Sequence, residues 1–215
     1  MNKKAIDLIK SFGYTLSSNA LSFIISTLVV LIIPKLIGVE DYGYWQLYIF
    51  YTSYIGFLHF GWNDGIYLRY GGKEYEKLDK KVFFSQFYML FLSQFFFGII
   101  ISFFTFMFVH GENKIFILQM TAIAIVIVNT RYMLLFLLQA TNRIKVSAKI
   151  TVIDRVIYAG LIVSLLLIGV REFKLMIVAD LIGKGFSLLA ALYACRDIVF
   201  RSISQFTFTI RSEEH

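Results

Sequence analysis

Five charged residues lie well inside long apolar runs of this chain, away from the run ends: Arg131, Asp154, Arg155, Asp180 and Lys184. A charge at mid-bilayer costs about 2.5–3.5 kcal/mol on insertion scales, so each needs a neutralising partner or a wet cavity to face. Lys184 is central in its run, roughly 14 Å from either interface at about 1.5 Å rise per residue, beyond comfortable snorkelling. Asp180 precedes it by four residues, on the same helix face. Two readings stay open: a neutralised structural ion pair, or a cationic group facing a water-filled pathway. Arg131 lies about 12 Å from the end of its run, with Asn129 nearby, and Asp154 and Arg155 lie roughly 8–9 Å in. Neighbours in sequence point apart on a helix, so Asp154 and Arg155 need partners on other elements, and an Asp154–Arg131 pair is the expected one. Three cations against two carboxylates leave positive charge over. If they converge, the bundle suits an anionic passenger such as a phosphate or diphosphate head group.

Other candidate chemistry is thinner. Asn63 and Asp64 stand close to the end of their run, where interfacial solvation explains them nearly as well as function does. His59, in an aromatic run, reads either as a hydrogen-bonded packing residue or as a proton relay. Asp64-Gly65-x-x-Leu68-Arg69 touches the opening of a membrane phosphatidyltransferase motif. That chemistry needs several further carboxylates to hold divalent metals, and here the following segment is lysine-rich, with Asp79 alone. Gly-rich phosphate loops, HExxH helices and nucleophile elbows are absent from the sequence. The three histidines are widely spaced, and the single cysteine, Cys195, allows neither a disulfide framework nor a cysteine metal cluster. The expectation is a non-enzyme without metal or cofactor.

The elements that must position these residues follow from composition. With 58% hydrophobic and 16% charged residues, the 215-residue chain carries too much apolar surface for a soluble domain, in which about a quarter of residues are charged. Apolar runs of roughly 20 residues argue for helices over barrel strands. Six transmembrane helices are predicted, at about 12–33, 44–68, 82–109, 115–138, 150–170 and 175–195, forming one lobe over 1–195. An amphipathic tail, 196–215, carries Phe206, Phe208 and Ile210. In the first span Thr15, Ser18, Ser22 and Ser26 recur at three- and four-residue steps; such a face marks close helix packing or lines a cavity. Fourteen of the 21 Lys and Arg fall in the amino terminus, the second and fourth loops and the tail, against four in the other loops. By the positive-inside rule both termini are cytoplasmic. The net charge of +7 is thereby explained without nucleic acid.

One stretch carries a resemblance. An apolar span ends at Pro34-Lys35 and is followed by Leu36-Ile37-Gly38, Glu40-Asp41-Tyr42-Gly43-Tyr44-Trp45, a second span, Gly61-x-x-x-Gly65 and Arg69-Tyr70. This order resembles the amino-terminal region of bacterial polysaccharide and O-antigen flippases of the multidrug/oligosaccharidyl-lipid/polysaccharide exporter superfamily. The resemblance implies an all-α, MATE-like lobe in the bacterial cytoplasmic membrane. It would move undecaprenyl-diphosphate-linked oligosaccharide between leaflets by alternating access, with Arg131, Arg155 and Lys184 as cavity cations and Asp64, Asn129, Asp154 and Asp180 in support. Members of that family carry about twice as many spans, so the chain is expected to be a truncated half, or to work with a second lobe or a second copy. The alternatives are a cation-coupled multidrug exporter of the same superfamily and a non-transporting subunit of a polysaccharide assembly complex.

Overall fold

The computed structural model describes residues 3–202. The chain is an all-α, multi-pass integral-membrane protein. Among the described residues four helices are long and apolar enough to cross a bilayer: α4 (Lys80–Phe108), α5 (Glu112–Ala140), α6 (Ile144–Leu167) and α7 (Phe173–Ala194). Before them come α1 (Lys3–Leu36), α2 (Val39–Tyr54) and α3 (Trp62–Tyr70), and after them a short α8 (Arg196–Val199). Phe206, Phe208 and Ile210 of the amphipathic tail lie outside the described residues.

The bundle is built around α5. Within its most apolar stretch 72% of residues are buried, against 22% in α4 and in α6. Helices that bury little of an apolar surface in their own protein present it to lipid, so α4 and α6 are peripheral and α5 is the shared core. Close approach depends on two glycines. A Cβ at Gly98 would stand 3.2 Å from the Ala122 carbonyl of α5. One at Gly183 would stand 2.8 Å from the Asp154 carbonyl of α6. Gly183 and Ser187 share the small-xxx-small spacing that lets membrane helices touch, and α7 lies directly on α6.

The predicted second span, 44–68, is interrupted rather than continuous. α2 ends at Tyr54, a 3-10 turn follows over Ile55–His59, and α3 starts at Trp62. Phe60 and Gly61 both take left-handed backbone conformations (φ 48° and 75°), which no right-handed helix can pass through. Broken backbone at membrane depth needs internal partners for its polar groups, and side-chain amides provide them. Asn129 Nδ2 donates to the Ile55 carbonyl at 2.9 Å, and Gln94 Nε2 to the Leu58 carbonyl at 3.1 Å. Asn129 Nδ2 also donates to Gln94 Oε1 at 2.7 Å, and Asn63 Nδ2 to the Asn129 carbonyl at 3.2 Å. An amide chain from α3, α4 and α5 therefore holds the break in place. Pro34, where the first apolar run stops in the sequence, lies inside the last turn of α1 rather than beyond it.

The loops gather at two ends. At one, Gly72 N donates to the Ala140 carbonyl at 3.0 Å, Arg143 pairs with Glu76, and Lys80 pairs with Asp197. The lysine-rich loop, the loop after α5 and the segment after α7 thus form one basic end. At the other, Lys174 Nζ meets Glu112 Oε1 at 2.6 Å, and Phe173 stacks on Tyr44 with centroids 5.0 Å apart.

Candidate functional site

Arg131, Arg155 and Lys184 converge. All three line one cavity of about 430 Å³, enclosed by α1, α2, the turn after α2, α5, α6 and α7. Three different helices deliver them: α5 brings Arg131, α6 brings Arg155 and α7 brings Lys184. Their conditions differ sharply. Arg131 is 4% exposed, and its guanidinium donates to Asp154 Oδ2 at 2.6 Å and to Ser187 Oγ at 3.1 Å. Ser187 Oγ in turn donates to the Ile150 carbonyl at 3.0 Å. The pair expected from sequence is thus formed, and both partners are buried, with Asp154 2% exposed. Lys184 pairs with Asp180 on its own helix, as the four-residue spacing requires. Asp180 also accepts a hydrogen bond from the Tyr48 hydroxyl at 2.7 Å, which ties α2 to α7. Arg155 is half-buried and, among the described residues, makes neither an ion pair nor a hydrogen bond.

The charges divide accordingly. Asp154 neutralises Arg131 and Asp180 neutralises Lys184, which leaves the Arg155 guanidinium as the surplus charge of the cavity. Its planar donor fork matches phosphate and carboxylate oxygens. The walls are aromatic and hydroxylic: Trp45, Tyr48, Tyr132 and Tyr158, with Thr52, Ser53 and Ser26 between them. The Arg131 guanidinium carbon lies 5.1 Å from the centroid of the Tyr132 ring. Rings beside hydroxyls and one uncommitted cation can stack on a polar ring and hold an anion in the same space.

The supporting residues separate in space. Asp180 lines the cavity, and Asp154 stands behind Arg131. Asn129 belongs to the amide chain at the helix break and does not face the cavity. Asp64 is not a lining residue; its carboxylate is 60% exposed, 4.0 Å from His59 Nδ1. His59 Nδ1 is itself buried and, among the described residues, has no hydrogen-bond partner. On α1 the serine face divides: Thr15 is exposed, Ser18 is buried and Ser26 lines the cavity. Thr15 and Ser18 bond back to their own helix, and α1 packs chiefly on α6. Sequence reasoning missed Tyr48 and Ser187. Ser187 had a signal, since it lies three residues beyond Lys184 and four beyond Gly183 on one face. Tyr48 had none that set it apart among 13 tyrosines.

Among the described residues no three His, Cys, Asp or Glu side chains are grouped to hold a metal ion. No protein-family model, curated protein or solved structure matches this chain.

Proposed function

We propose that this chain is one lobe of a lipid-linked oligosaccharide flippase, which binds the diphosphate or an acidic sugar of its cargo in the cavity and moves it between leaflets by alternating access. One observation carries the reading: cations placed far apart in sequence, on α5, α6 and α7, meet in a single aromatic-walled cavity. Structural ion pairs alone account for Arg131 and Lys184. They do not account for Arg155, a guanidinium held at the same cavity without a carboxylate partner among the described residues. The family resemblance of the stretch 33–70 supports the same cargo class, in a six-span lobe of MATE-like type in a bacterial cytoplasmic membrane. A second lobe, a second copy or another chain would supply the facing wall.

The test is export of surface polymer in cells that depend on this protein. Arg155→Ala should abolish or strongly reduce export while the protein reaches the membrane at parental level, and Arg155→Lys should restore part of it. Unchanged export in Arg155→Ala would remove the transport reading and favour a non-transporting assembly subunit. Asp180, a cavity carboxylate held by Tyr48 and Lys184, is what a cation-coupled drug exporter would use. Retained drug efflux with lost polymer export would favour that alternative.

A further inference from the structure

A second charged cavity, of about 440 Å³, opens at the basic end and shares no lining residue with the site above. Three separate segments build it: Tyr75, Glu76 and Lys80 before and at the start of α4, Arg143 after α5, and Tyr193, Ala194, Arg196 and Asp197 around the junction of α7 and α8. The Tyr75 hydroxyl donates to Asp197 Oδ1 at 2.8 Å, and Lys80 pairs with the same carboxylate. Arg143 pairs with Glu76 and lies 3.7 Å from the centroid of the Tyr75 ring. Both carboxylates are thereby taken. Arg196, 5.0 Å from the centroid of the Tyr193 ring, has no carboxylate partner among the described residues. Glu76 is 70% exposed, so it can rotate away from Arg143 at little cost.

The surface leading away from this cavity is apolar. Ile182, Phe186, Leu189 and Tyr193 are all exposed, and their steps of four, three and four residues put them in one stripe along α7. The stripe runs from the cavity toward the middle of the membrane. Phosphate-matched guanidinium groups at the interface, continuous with an apolar stripe, have the two-part form of a phospholipid. Basic pockets between transmembrane helices on the side rich in Lys and Arg take anionic head groups.

We propose that Arg143 and Arg196 form a binding site for the phosphate of an anionic phospholipid, whose acyl chain lies along Phe186, Leu189 and Tyr193. The bound lipid ties together the three segments that close the basic end. This site is independent of the transport reading, because none of its residues lines the central cavity.

The experiment is thermal unfolding of the purified chain in detergent, titrated with phosphatidylglycerol, phosphatidylcholine or inorganic phosphate. Phosphatidylglycerol should raise Tm and phosphatidylcholine should not. Arg196→Gln breaks no ion pair and lies on the surface, so it should fold as the parent does. It should move the phosphatidylglycerol midpoint about tenfold higher, the scale of one lost charge-assisted contact. Lys77→Gln, outside the cavity, should titrate as the parent. Equal protection by both phospholipids, or an unchanged midpoint in Arg196→Gln, would overturn the site. Protection by inorganic phosphate matching that by phosphatidylglycerol would overturn the lipid as the ligand.

Discussion

Arg131 and Asp154 show how much one pair of side chains can decide. Both are almost wholly buried, so removing either one strands the other charge in a low-dielectric interior. Arg131→Ala should destabilise the fold by about 3–5 kcal/mol, the usual cost of breaking a buried pair from one side. The double replacement Arg131→Met with Asp154→Leu should cost clearly less, because neither charge is then stranded. Detergent unfolding of the three variants measures the difference, and equal losses in single and double variants would mean that the pair is not coupled. Arg155→Ala should leave stability within about 0.5 kcal/mol, as for substitutions that break no interaction, since among the described residues this guanidinium has no ion-pair or hydrogen-bond partner to lose. The pair was legible in the sequence because charges in apolar runs are rare and must be matched. The two expected pairs also left Arg155 as the cation without a carboxylate; what the sequence did not show is that it shares a cavity with the other two. That depends on which face each helix turns inward, which the sequence does not fix for α6.

At the level of elements, contact between α6 and α7 depends on an absent side chain. A methyl group at Gly183 would stand 2.8 Å from the Asp154 carbonyl and 3.3 Å from Tyr158 Cβ, neither of which is the end of a flexible chain. Gly183→Ala should therefore cost about 1–3 kcal/mol, as overpacking does. Gly185→Ala, with nothing within 4 Å of its Cβ, should be neutral or stabilising by up to about 1 kcal/mol, because glycine is a poor residue inside a helix. Comparing the two in one unfolding assay isolates the contact from helix propensity. The helix break makes a parallel case. Asn129→Leu would strip the Ile55 carbonyl and Gln94 Oε1 of their donor and should cost about 1–3 kcal/mol for each group left unsatisfied. Much of this level could be read in advance: apolar run lengths gave α4 to α7 within a few residues at each end except the start of α6. The break could not. Its apolar residues continue straight through Gly61, and what ends the helix is backbone geometry paid for by amides 36 and 74 positions away.

For the molecule as a whole, the basic end is closed by contacts between loops far apart in sequence. Burial alone would raise the Asp197 carboxyl, but the hydrogen bonds from Lys80 and Tyr75 outweigh it and hold it below the usual carboxylate range. A carboxyl depressed in the folded state adds stability that is present above its unfolded value, near 3.9, and is lost as pH falls through the folded one. The closure should therefore hold at neutral pH and loosen only in strong acid. Asp197→Asn should loosen it at neutral pH instead. Cys195, fully buried beside this carboxylate, should then react with a maleimide faster than in the parent, and an unchanged labelling rate would count against the closure. The gathering of three basic segments at one end was legible from the loop charges. Their mutual contacts were not, because surface pairings leave no periodic trace.

The enclosure of α5 also bears on how the chain is made. A helix with Asn129 and Arg131 facing inward has nothing to offer lipid at those positions until Gln94, Asp154 and Ser187 surround them. Released sideways into the bilayer on its own, it would carry a bare guanidinium into hydrocarbon. α5 should therefore wait at the insertion channel until α6 and α7 emerge, and chains cut after residue 143 should be slow to integrate and quick to be degraded. The order of synthesis is in this sense written into which helix sits at the centre.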